Sequence, residues 1–144
     1  MSKELYQQTI KDLAARESGR LDAPDGSAVL DNPLCGDKVS LDVAVADGRI
    51  TALGHMTKGC LLCKAAASVA VDYVPGRSVA EVTALADQVG AMLKQGAEPP
   101  FPAMAVFLAV RPHKSRHGCV LLPFKALVKA LGSFERSSKG FCTL

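Results

Sequence analysis

The pattern that most restricts the fold is a single alternating run. Val39, Leu41, Val43 and Val45 alternate with Ser40, Asp42, Ala44 and Ala46, the period-two signature of a strand with one buried face. Asp47-Gly48 follows as a two-residue turn signal, and residues 49–57 return as the partner strand of a hairpin. Upstream, Ala28-Val29-Leu30 reads as a short third strand that leads into the loop Asn32-Pro33-Leu34-Cys35-Gly36-Asp37.

Helical periodicity fills most of the remaining chain. Leu5, Tyr6, Thr9, Ile10 and Leu13 place an amphipathic helix over residues 3–17, followed by a polar linker, 18–26. Gly59-Cys60 ends the hairpin and opens a helix whose apolar stripe is Leu62, Ala65, Ala66, Val69, Ala70 and Tyr73, stopped by Pro75-Gly76. Ser78 and Glu81 form a capping box for the next helix, with Val79, Val82, Ala86, Val89 and Leu93 as its buried face. Three prolines interrupt residues 96–102, and the apolar run 101–110 fits helix or strand equally. Pro123 suits the first turn of a last helix with the face Phe124, Leu127, Val128 and Leu131, capped by Gly132. Strands cluster rather than alternate with helices. The expected class is therefore α+β, a small antiparallel sheet of about three strands with helices on one face. The expected organisation is one domain over residues 1–132 and a flexible, polar tail over 133–144.

Composition excludes several classes of function. The net charge of +3 is mild, and its local excess lies at Arg111, His113, Lys114, Arg116 and His117. No aromatic residues interleave with that basic run, which argues for a solvated loop or an acidic partner and against nucleic acid. No segment approaches membrane-span length, and the first sixteen residues lack the apolar core of a signal peptide. The expected compartment is the cytoplasm, where thiols stay reduced and five cysteines point to metal binding or catalysis rather than disulfides.

Cys35 and Asp37 set a soft thiolate and a hard carboxylate two residues apart around a glycine, a pairing that a packed core does not call for. Cys60, at a helix entrance, meets unpaired backbone N–H groups and the positive end of the helix dipole, both of which favour thiolate. Cys119 follows the basic loop and stands just before the last helix. These three cysteines and Asp37 make a four-ligand site on separate segments, suited to zinc or an iron–sulfur cluster, with the carboxylate as the weaker ligand for iron. Cys63 completes a Cys60-Leu61-Leu62-Cys63 motif. It reads as structural, as a spare ligand or thiol relay, or as half of a redox pair, although the βαβ order of thioredoxin-like folds is missing. His117 is close enough in sequence to reach the same metal or is solvated, His55 reads as structural or surface, and Cys142 as an exposed thiol in the tail.

Asn32-Pro33-Leu34-Cys35-Gly36-Asp37, Gly59-Cys60 and Arg116-His117-Gly118-Cys119 together closely resemble the U-type iron–sulfur scaffold family (IscU, SufU and the N-terminal part of NifU), over residues 5–132. The resemblance implies a SufE/IscU-like fold and a scaffold rather than an enzyme. Such a scaffold takes sulfur from a cysteine desulfurase, combines it with iron into a transient [2Fe–2S] cluster and passes the cluster to acceptor apo-proteins. It carries the ligand roles onto Cys35, Asp37, Cys60 and Cys119 and allows zinc at the same place. Cys119, read as lying on a loop able to move, is the expected first sulfur acceptor, and a homodimer is among the expected partners. Gly118 stands where IscU-type members have histidine, the Leu-Pro-Pro-Val-Lys chaperone signal is missing, and Cys63 replaces a serine. The segment between Cys60 and Cys119 and the Arg116-x-x-Cys119 pattern are closer to the SufU branch, where a zinc-dependent sulfurtransferase that stimulates its desulfurase is the rival role.

Overall fold

A computed structural model describes residues 8–16, 19–33 and 36–142, with side chains through residue 132. Its elements are α1 (Gln8–Ala15), β1 (Gly26–Asn32), β2 (Asp37–Ala46), β3 (Arg49–Lys58), α2 (Leu61–Tyr73), α3 (Val79–Thr83), α4 (Leu85–Lys94), a 3-10 segment (Pro102–Val110), a 3-10 turn (Lys114–Arg116) and α5 (His117–Cys142). The three strands form one antiparallel sheet in the order β1-β2-β3.

The alternating run behaves as its period demands. Val39, Leu41 and Val43 are buried, and the register aligns them with Leu30, Ala28 and Gly26 of β1. Asp47 and Gly48 turn the hairpin with φ of 54° and 74°, the left-handed pair that matches strand twist. α2 and α5 cover this face with Leu62, Ala66, Val69, Phe124, Leu127 and Leu131. On the opposite face Val29 and Met56 are exposed, whereas Asp42 is buried beneath residues 20 and 21. Arg20 donates to Asp42 from Nε at 2.6 Å and from its terminal nitrogen at 2.8 Å, and Ser27 Oγ donates at 2.7 Å. α1 is held on α2 by the Arg16–Asp72 ion pair and by Ser68 Oγ, which donates to the Leu13 carbonyl at 2.6 Å.

Several boundaries depart from expectation. Ser78 does cap through the Glu81 N–H, but the helix expected beyond it is two, broken at Ala84. Thr83 Oγ1 donates back to the Val79 carbonyl at 2.7 Å, an alternative to the helical ladder that bends a helix. Leu85 and Met92 join Val82, Val89 and Leu93 in the core, while Val79 and Ala86 are only half-buried. The ambiguous apolar run is a 3-10 helix whose buried residues are Met104, Phe107 and Val110. Its entry is fixed by Phe101, which stacks on Tyr73 with ring centroids 3.6 Å apart.

The largest correction concerns α5. It begins at His117, not at Pro123, and runs through Gly132 to Cys142, so Pro123 is internal and Gly132 caps nothing. The helix continues because Val120, Leu121, Leu122 and Phe124 are all buried: a segment packed on every side is held by its surroundings against proline's local cost. Residues 3–7 and 17 of the expected N-terminal helix and the side chain of Cys142 lie outside the described residues.

Candidate metal centre

The loop between β1 and β2 closes tightly. Gly36, at φ 74°, donates its N–H to the Asn32 carbonyl at 2.8 Å, and the chain re-enters the sheet at Asp37, paired with Asn32. This turn puts the Asp37 carboxylate, 1% exposed, at the sheet end where β3 hands over to α2. Asp37 Oδ1 accepts the backbone N–H of Cys60 at 2.9 Å, and Oδ2 lies 3.6 Å from Cys60 Sγ. Cys60 is the N-cap of α2, extended at φ −76° and ψ 165°.

Cys119 enters from the first turn of α5 and is fully buried. Donor atoms of Asp37, Cys60 and Cys119 all lie within 4.8 Å of one another. Three of the four expected residues therefore meet, and Cys35 lies outside the described residues. The Cys60 thiol is pulled down to about 7, chiefly by a hydrogen bond from Cys119 and further by the N–H groups of Cys63 and Leu62. Burial and the neighbouring Asp37 charge oppose that shift. Two thiol sulfurs and a carboxylate in this space offer a mixed soft and hard donor set, suited to zinc or iron–sulfur chemistry.

Two glycines make the approach possible, each immediately before a cysteine. A Cβ on Gly59 would sit 2.0 Å from Asp37 Oδ1, and Gly59 has φ 146°, a backbone that side chains rarely adopt. A Cβ on Gly118 would sit 2.8 Å from Asn32 Nδ2. The side chains of Asn32 and Asp37 thus seat on bare backbone ahead of Cys119 and Cys60. Sequence reasoning gave Asn32 no role and treated Gly118 only as a missing histidine. The signal was the repeated Gly-Cys pair.

His117 takes neither role expected of it. It is buried, and its Nε2 faces the carbonyls of Arg111 at 2.9 Å and Val110 at 3.2 Å, so it ties α5 to the end of the 3-10 segment. Cys119 is likewise helical and enclosed rather than on an open loop. Cys63 is buried in the core one turn into α2. His55, expected as structural or surface, is buried with Nδ1 2.9 Å from Thr57 Oγ1.

Fold and site together define an α+β domain with a thiol–carboxylate cluster gathered where one end of the sheet meets two helix starts. The profile described as NifU-like N terminal domain matches residues 5–139, and the chain belongs to that family. Among curated proteins, the iron–sulfur cluster assembly scaffold protein IscU of Streptococcus pyogenes is 32% identical over 133 residues, covering 88% of this chain and 82% of that protein. The IscU of Thermotoga maritima is 25% identical over 138 residues, 93% of this chain and 97% of its own length. The crystal structure of a NifU-like protein (N-terminal) from Brucella abortus superposes with a TM-score of 0.87 at 31% identity, covering 94% of this chain and 97% of that one. A putative SUF-system scaffold from Fervidobacterium islandicum shares the fold, with a TM-score of 0.83 at 24% identity over 91% of this chain and 99% of its own. No helix among the described residues is long and apolar enough to cross a membrane.

Proposed function

We infer that this chain is an iron–sulfur cluster assembly scaffold that accepts sulfur from a cysteine desulfurase, binds iron, carries a transient [2Fe–2S] cluster and passes it to acceptor proteins. The observation that carries the reading is the convergence of Asp37, Cys60 and Cys119 within 4.8 Å, in a chain of this family. Cys35, Cys60 and Cys119 supply thiolates to the cargo. Asp37 supplies the harder and weaker ligand, the bond that opens when the cluster leaves. Cys119 is the first sulfur acceptor, since its sulfur lies against Cys60 and shares the site that receives iron.

Anaerobic reconstitution with iron and sulfide tests this. The expected product absorbs in the visible as a [2Fe–2S] species, is lost in Cys35→Ser and persists longer in Asp37→Ala. Reconstitution that yields no cluster refutes the scaffold reading.

One distance also fits a second reading, a zinc-dependent sulfur acceptor that stimulates its desulfurase. Cys60 Sγ and Asp37 Oδ2 are 3.6 Å apart. Two ligands of one tetrahedral zinc, a thiolate and a carboxylate oxygen, stand about 3.5 Å apart. Metal analysis and the absorption spectrum of freshly purified protein separate the two readings. Tight zinc with stimulated desulfurase turnover supports the second, and turnover unchanged by the protein refutes it.

A further inference from the structure

The described cysteine that the metal centre does not use is Cys63. It is fully buried and sits one helical turn beyond Cys60, the N-cap of α2. Its backbone N–H lies close enough to the Cys60 sulfur to help lower that thiol. Positions three apart at a helix start hold their Cα atoms roughly 5 Å apart, within the range a disulfide spans. One thiol of the pair is half-exposed and the other enclosed. This is an arrangement in which the outer sulfur collects a group and the inner one resolves it.

We propose that Cys60 and Cys63 form a built-in two-electron reductant that converts sulfur delivered as persulfide into sulfide at the metal centre. The proposal rests on the sulfur-accepting reading above. Sulfane sulfur arrives two electrons too oxidised to serve as the bridging sulfide of a cluster. Persulfide on Cys119 passes its outer sulfur to Cys60, whose sulfur lies beside it, and Cys119 leaves as thiolate. The Cys63 thiol gives up its proton and attacks the Cys60 sulfur. A Cys60–Cys63 bond forms, the bond to the outer sulfur breaks, and that sulfur leaves with the electron pair and the proton as hydrosulfide. Two thiol sulfurs are oxidised to a disulfide and one sulfane sulfur is reduced. A dithiol reductant then returns the pair to thiols and frees Cys60 to bind iron.

The metal-free full chain tests this without a desulfurase. Trypsin releases Gly59–Lys64, which contains Cys60 and Cys63 and no other cysteine. After treatment with glutathione disulfide, this peptide is expected two hydrogens lighter, whereas Cys63→Ala keeps glutathione on Cys60. Sodium sulfide should open either form to a Cys60 persulfide. On removal of free sulfide, wild type should re-form the disulfide and release stoichiometric sulfide, while Cys63→Ala releases roughly tenfold less. A wild-type chain that stays glutathionylated, or whose persulfide lasts as long as that of Cys63→Ala, overturns the proposal. A second arm supplies cysteine and a desulfurase to Cys63→Ala: absence of persulfide there refutes the sulfur-acceptor reading, and the first arm decides the dithiol chemistry by itself.

Discussion

Asp37 Oδ1 accepts the Cys60 backbone N–H at 2.9 Å, which fastens the carboxylate to the entrance of α2. The contact depends on the residue between β3 and that helix. Gly59→Ala would place its Cβ 2.0 Å from Oδ1 and impose φ 146° on a side-chain-bearing residue. The expected outcome is a loss of about 2–3 kcal/mol in stability together with weakened metal binding. Thermal melts with and without zinc check it, and a variant that binds zinc as wild type does would refute the clash.

Gly118 and Asn32 should behave as a coupled pair. Gly118→Ala brings Cβ to 2.8 Å from Asn32 Nδ2, whereas Asn32→Ala empties that space. The double variant is therefore expected to recover about 1 kcal/mol relative to the sum of the single losses. Denaturant unfolding of the four proteins measures it. Simple additivity would show that the two residues do not touch.

The acid limb of stability should depend on Asp42. Arg20 hydrogen bonds hold its carboxyl below the usual range against the cost of burial, with Ser27 and the Leu21 N–H assisting. A folded-state pKa below the unfolded value of about 3.9 gives stability that is complete above that pH and is lost as pH falls through the folded value. Asp42→Asn should flatten that limb, and Asp42→Ala should cost about 2 kcal/mol at neutral pH, discounted because Arg20 is partly exposed. Melting temperatures from pH 7 to pH 2 read both effects.

Alkylation should single out Cys60. With its thiol pulled down to about 7, its reaction with iodoacetamide in the metal-free chain should rise with pH and reach half its plateau near that value. Mass analysis of the Gly59–Lys64 peptide follows it, with the enclosed Cys63 expected to react far more slowly. Equal rates at the two positions would contradict the burial pattern.

Much of this arrangement was legible from residue order, and the exceptions share a cause. The hairpin was readable because a half-buried strand writes its period into the sequence, as Val39 to Val45 do. α2 was readable because its stripe from Leu62 to Tyr73 is bounded by Gly59-Cys60 and Pro75-Gly76, although Cys63, Ala67 and Ser68 are buried as well. The start of α5 is buried on most sides, so Val120 to Phe124 form an apolar run without a period, while the 3-10 segment buries only Met104, Phe107 and Val110 of a run that is apolar throughout. Pro123 then looked like a beginning. Asp37, Cys60 and Cys119, which the structure brings together, were singled out from residue chemistry, because few patterns other than metal binding set Cys and Asp beside glycine. The seats at Gly59 and Gly118 were not fully legible, since each depends on which side chain another strand end brings within 3 Å.

Pro123 inside α5 has a consequence for Cys119. A proline has no N–H to give the carbonyl four residues back, and here that carbonyl belongs to Cys119. The opening turn of α5 is thus one rung short of its own ladder. It is kept in place by neighbours: His117 on the Arg111 carbonyl and Asn32 against Gly118. The place of the Cys119 sulfur is thus set from outside its own helix, by the end of β1 that carries Asn32 and by the segment that ends at Arg111.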